Sequence, residues 1–216
     1  MKSNIKHNGF AIAIAWPETL CKQAGAWYDG LMNSLKISKN NYYKVGHAAV
    51  VLINAQTNKC HYFDFGRYHT PYGYGRVRDE ITDHDLILKT SPVIKSNTIE
   101  NIDSILNELL NNPSCHGNGY LLASYTSVTF EKAYAKAKQM QQKGVIKYGP
   151  FEPNGTNCSR FVRSVVLSGK PKFTYQLKLL TPYSVSPTPK TNVLSLSNKL
   201  ILFPEESTLF KNIAIA

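Results

Sequence analysis

The chain has 216 residues, enough for one globular domain or one domain with appendages, and 43% of them are apolar, which is ample for a packed core. Thirteen Tyr and nine Phe beside 18% charged residues exclude a disordered chain, and 13 Gly and 11 Pro exclude collagenous or low-complexity architecture. Lys and Arg outnumber Asp and Glu by 25 to 14, an excess that favours polyanions, anionic lipid surfaces or acidic small substrates without bearing on the fold.

The first apolar run, Phe10 to Trp16, alternates large and small side chains. It predicts a strand with Phe10, Ile12, Ile14 and Trp16 on one face and alanines on the other, ended by Pro17. The run is short for a signal-peptide core and no small-residue cleavage site follows it; no stretch reaches the roughly 18 apolar residues of a membrane span. A cytoplasmic protein without a membrane span is the expectation. A short helix is expected over 26–36. The runs GHAAVVLI (46–53) and CHYFDF (60–65), joined by NAQTNK, predict a hairpin whose first strand is central and covered on both faces. Residues 66–85 then read as a long ordered loop, followed by a strand at 85–90.

Ile99, Ile102, Leu106, Leu109 and Leu110 have helical spacing over 98–112, with Asn97 or Thr98 as cap and Pro113 as stop. A strand is expected at 119–128, a helix over 130–143 ended by Gly144, and a helix over 158–167 capped by Thr156 or Asn157 and ended by Gly169. Residues 181–192 have linker composition, and LILF at 200–203 is strand-like. The pattern is α+β: an antiparallel sheet packed against helices.

Four cysteines, at 21, 60, 115 and 158, form neither a CxxC pair nor a Cys/His cluster, which disfavours structural zinc and a disulfide framework. Cys158 differs from the others in opening a helix. The partial positive charge of a helix N-terminus stabilises a thiolate, and the free N–H groups of the first turn can stabilise an oxyanion beside the sulfur. The competing reading makes Cys158 a small apolar filler between helix and sheet. A thiolate nucleophile needs a base, and among six histidines His47 stands apart because it opens the central strand, where burial demands a partner. Its bland reading is a satisfied strand-end histidine. If Asn54 lies opposite Lys59, Asp64 and Tyr62 share the face of His47; a shift of one residue puts His61, Phe63 and Phe65 there instead. Asp64 is preferred, because the other register would spend aromatic side chains on the polar face.

A Gly-His opening a hydrophobic strand, a polar residue on the next strand and a later Asn-Cys-Ser opening a helix resemble the circularly permuted papain-like enzymes. These are relatives of the NlpC-type cell-wall amidases and of lecithin:retinol acyltransferase, in which histidine precedes cysteine. AWPETLCKQAGAWYD, YKVGHAAVVLI, YFDFGRYHTPYGYGRVR and NGTNCSRFV are also similar to an uncharacterised bacterial family of that superfamily. The resemblance implies a permuted papain-like catalytic domain over 1–180, with 181–216 a linker-like segment and extension packed on it. It implies Cys158 as nucleophile, His47 as general base and acid, Asp64 or His61 as third member, and the Cys158 N–H in the oxyanion hole. Tyr148, Asn154, Trp16 and Arg67 are candidates for a second oxyanion donor or for the pocket.

The function this implies is a cysteine hydrolase (amidase or peptidase) or an acyltransferase, working through a thioester on a peptide- or acyl-containing substrate, an anionic one being suited to the positive charge balance. No phosphate loop, dinucleotide fingerprint or metal-binding helix is present, so no cofactor and no metal are expected. The alternative is a silent papain-like scaffold that binds a polyanion or nucleic acid through the basic-aromatic loop 66–78, where three Arg interleave with three Tyr.

Overall fold

The structure, a computed structural model, describes residues 7–23, 30, 34, 38–40, 42–43, 45–181, 186–204 and 209–211. The strands are β1 (Gly9–Trp16), β2 (Cys21–Lys22), β3 (Ser38–Lys39), β4 (Tyr42–Tyr43), β5 (His47–Asn54), β6 (Lys59–Gly66), β7 (Tyr74–Arg78), β8 (Ile94–Lys95), β9 (Thr98–Ile99), β10 (Leu121–Val128), β11 (Ile146–Lys147), β12 (Ser197–Leu202) and β13 (Leu209–Lys211). The helices are α1 (Ile102–Leu110), α2 (Phe130–Gln141), α3 (Cys158–Ser168), α4 (Phe173–Leu180) and α5 (Pro189–Leu194). Eight strands make one antiparallel sheet in the order β11-β7-β6-β5-β1-β10-β12-β13, while β2-β4-β3 and β8-β9 form two small sheets.

The sheet separates two apolar layers. Every residue of β1 is buried, and its alternation decides which layer each side chain joins. Phe10, Ile12, Ile14 and Trp16 pack with Ile102, Ile105, Leu106 and Leu109 of α1. Ala11, Ala13 and Ala15 face the other way, with α2, α3 and Val193 of α5, where small side chains let helices lie close to the strand. The first hairpin strand, β5, is buried on both faces from His47 to Ile53, as a central strand must be.

Four expectations need correction. The segment 66–85 is not one loop: Tyr74–Arg78 pairs with β6 and β11, so the Arg-Val-Arg alternation belongs to a strand. No strand forms at 85–90. A 3-10 turn at His84–Leu86 buries Leu86, and the N–H groups of Lys89 and Thr90 donate to the Glu108 carboxylate (2.6 and 2.8 Å) instead of to a neighbouring strand. Helix α1 begins only at Ile102, because Thr98 and Ile99 pair with β8. The linker-like stretch contains α5, which starts with a capping box between Thr188 and Thr191 and carries Pro189 in its first turn. The helix expected over 26–36 lies outside the described residues apart from Gly30 and Ser34, which are helical.

Candidate active site

Strand β5 opens beside the last residue of β1, with His47 paired to Trp16. Gly46, just before it, has φ +77°, and a Cβ there would lie 2.8 Å from the Trp16 carbonyl oxygen, so the turn into His47 requires glycine. In the hairpin Asn54 pairs with Lys59 and Ala49 with Asp64, the register that sets Asp64 and Tyr62 on the His47 face. His61 faces the other layer. Its Nδ1 meets Glu80 Oε1 at 2.7 Å and its ring packs on Phe130 and Tyr134.

The His47 imidazole stacks on Trp16 with ring centroids 5.9 Å apart, and its Nε2 lies 3.2 Å from Asp64 Oδ2. That leaves Nδ1 as the ring nitrogen able to face the Cys158 thiol, whose interaction with His47 shifts the pKa of both groups. Cys158 is the first residue of α3 and reaches His47 from the opposite layer. The helix start is fixed by Asn157, whose Oδ1 accepts the Arg160 N–H at 2.8 Å.

Asp64 is wholly buried and saturated with donors. Arg78, opposite it on β7, donates from Nε to Oδ1 (3.0 Å) and from Nη2 to Oδ2 (2.7 Å). Tyr62 and Tyr68 hydroxyls donate to Oδ2 at 3.1 and 3.0 Å, and the Tyr68 hydroxyl is also 3.3 Å from His47 Nε2. The Arg78 guanidinium lies 3.4 Å from the centroid of the Tyr68 ring, which also stacks on His116.

These contacts set the protonation states. Burial raises the Asp64 pKa, but the hydrogen bonds and charges of His47 and Arg78 outweigh it and bring the group down to about 2. Burial alone would lower His47; Asp64 and Cys158 instead push it up to about 9. Burial would raise the Cys158 thiol, yet the hydrogen bond and charge of His47, helped by Ser159 and the Ala48 N–H, hold it below its ordinary value. Both partners shift in the sense of a thiolate–imidazolium pair. Cys21, Cys60 and Cys115 go the other way, each pushed by burial up to about 12.

A cleft of about 180 Å³ opens over His47, lined by Thr19 to Lys22, Phe65 to Tyr68, His116 and Tyr148. Tyr148 stacks on Phe65 with the rings 10° from parallel and lies under Arg67. Arg67 donates to the carbonyls of Lys22 and Gln23, tying the 19–23 segment to the rim. Of the remaining residues singled out from sequence, Trp16 lies behind His47 rather than in the cleft, and Asn154 is exposed in a turn away from it. Sequence reasoning placed Tyr62 on the His47 face without giving it a role, and missed Arg78, Tyr68 and His116. The signal was available for Arg78: a carboxylate buried on a strand needs a counter-charge.

The other two arginines of the basic-aromatic run are also committed internally. Arg67 holds backbone, and Arg76 forks onto Asp83 with two contacts of 2.7 Å. Among the described residues no three His, Cys, Asp or Glu side chains are grouped to hold a metal ion, and no helix is long and apolar enough to cross a membrane.

An antiparallel sheet packed on helices, with a cysteine-led helix against its central strands, fits the papain-like superfamily that the sequence resembles. The chain belongs to the TseH-like family of type VI secretion system effectors, whose model matches residues 11–174. It is also similar to the crystal structure of the type VI secretion system effector TseH, with a TM-score of 0.62 and 18% identity over 96% of this chain and 99% of that one. No curated protein matches the sequence.

Proposed function

We propose that this chain is a cysteine hydrolase that cleaves an amide in an anionic peptide. The observation that carries the reading is the buried Cys158–His47 pair with Asp64 behind it. The Cys158 thiolate attacks the carbonyl carbon, and negative charge develops on the carbonyl oxygen. The Cys158 N–H, which has no partner within the helix, is placed to receive that charge. The His47 imidazolium gives its proton to the departing amine, leaving a thioester. Neutral His47 then takes a proton from water as the water attacks the thioester, and the thiolate leaves. A hydroxyl or amine in place of water would make the same site an acyltransferase. Asp64 stays ionised throughout, orienting and charging the imidazole. Lys22, exposed at the cleft rim, and the fixed positive charge of Arg67 beside it favour a substrate with a carboxylate near the scissile bond. As a type VI secretion system effector it would act where it is delivered, outside the producing cell or within a target cell.

The test is the pH dependence of cysteine alkylation, mapped by peptide, in the wild type and in His47→Ala. Cys158 should react with an apparent pKa well below the roughly 8.5 of a free thiol, and the substitution should remove that shift. The other three cysteines, held protonated, should stay silent at neutral pH. A Cys158 that titrates like a free thiol in both proteins would end the proposal.

A further inference from the structure

Between Pro153 and Pro204 the sequence holds seven Lys and Arg and no Asp or Glu. Helix α4 lies in the middle of this stretch. Its Leu179 is buried and Tyr175 packs against the core, so the helix is a fixed platform. Its outer face carries Phe173, Leu177 and Leu180, which are 68%, 45% and 59% exposed. Spacings of four and three residues put these side chains in one stripe along the helix. Elsewhere among the described residues, exposed large apolar side chains do not line one helix face in this way. Lys172 and Lys178 flank the stripe, and Lys170 precedes it. Arg163, on the adjoining α3, has its pKa lowered by burial and by the neighbouring Arg160 charge.

We infer that α4 is an interfacial docking helix that seats this protein on an anionic lipid surface. Phe173, Leu177 and Leu180 would enter the acyl boundary, while the lysine stems run along the stripe and place their ammonium groups among the headgroup phosphates. Charge complementarity selects the occupant. A polyanion without an apolar phase would satisfy the lysines but leave the two leucines in water, whereas an anionic bilayer accommodates both. The stripe shares no residue with the cleft. The inference does not depend on the thiol chemistry.

Flotation of the full chain with vesicles tests it. Wild type should float with phosphatidylglycerol–phosphatidylethanolamine vesicles at near-physiological salt and stay behind with pure phosphatidylcholine vesicles. The triple substitution Phe173→Ser, Leu177→Ser, Leu180→Ser removes exposed side chains only, so the melting temperature should be retained, while vesicle binding falls by about tenfold or more. Lys172→Gln with Lys178→Gln should weaken binding to anionic vesicles and reduce its salt dependence. Wild type that stays soluble beside anionic vesicles overturns the inference. So does a serine variant that binds as wild type does, which would reduce the surface to a charge patch, or one that binds vesicles normally but loses an acidic protein partner.

Discussion

At the scale of single residues, the group that governs the candidate site is Arg78 as much as Asp64. A carboxylate serving His47 alone would hold the imidazole strongly protonated; one that also takes two bonds from Arg78 does so less. Replacing Arg78 with Met removes a positive charge beside the pair, which favours imidazolium. The His47 pKa, about 9 in the wild type, should therefore rise, moving the alkaline edge of Cys158 alkylation upward. Stability should fall by about 3–5 kcal/mol, because Asp64 loses its main partner in a buried setting. Arg78→Lys keeps the charge without the fork and should restore the pH edge better than the stability. An unchanged edge in Arg78→Met would show that the arginine is only structural. Asp64 makes a second pH prediction. Its folded pKa of about 2 lies below its ordinary 3.8, so its contribution is complete above about pH 4 and is lost as pH falls through 2. Acid unfolding monitored in Asp64→Asn should lack that component. The polar residues His47, Asp64 and Cys158 were legible from sequence because each breaks a local pattern. Arg78 was not, because the glycines around it hid the strand that brings it opposite Asp64.

The elements show what holds the cysteine in place. Asn157 closes the first turn of α3, and losing such a cap costs about 1 kcal/mol. Asn157→Ala should lower stability by that amount and raise the apparent pKa of Cys158 as the helix start loosens. Asn157→Asp should recover the stability, since aspartate caps equally well, yet raise the thiol pKa further by setting a negative charge next to the sulfur. Thermal melts and alkylation profiles of the two variants separate the mechanical contribution of the cap from its charge. Most elements were readable because their periodicity is strong: alternation in β1, three- and four-residue spacing in α1, α2 and α3. Those misread were decided by other interactions. The 85–90 segment has strand-like residues, but Glu108 satisfies its N–H groups. Strand β7 mixes glycine with arginine, and its place in the sheet comes from pairing with β6, where Arg78 meets Asp64, and with β11.

For the molecule as a whole, the question is whether the segment after Thr181 is an appendage. Its Pro, Ser and Thr content reads as a linker, although Thr188 and Pro189 in the same stretch are a helix start. In the structure Val193 and Leu196 belong to the core layer that includes Cys158. The buried Asn192 Nδ2 donates to the Ser159 carbonyl at 2.9 Å, bracing the first turn of α3, and Ser124 Oγ donates to the Val193 carbonyl at 2.7 Å. Strand β12 covers the edge of β10 that would otherwise be open. A chain ending at Thr181 would expose that edge and part of the core, so it should lose the cooperative thermal transition of the full chain and aggregate. Asn192→Ala tests the bracing without removing the segment. It leaves the Ser159 carbonyl unpartnered, which costs about 1–3 kcal/mol, and should reduce Cys158 reactivity in a protein that still folds. Full cooperativity and unchanged Cys158 alkylation in the shortened chain would return the segment to the status of a linker. Loss of both makes it part of the single folding unit that positions the cysteine.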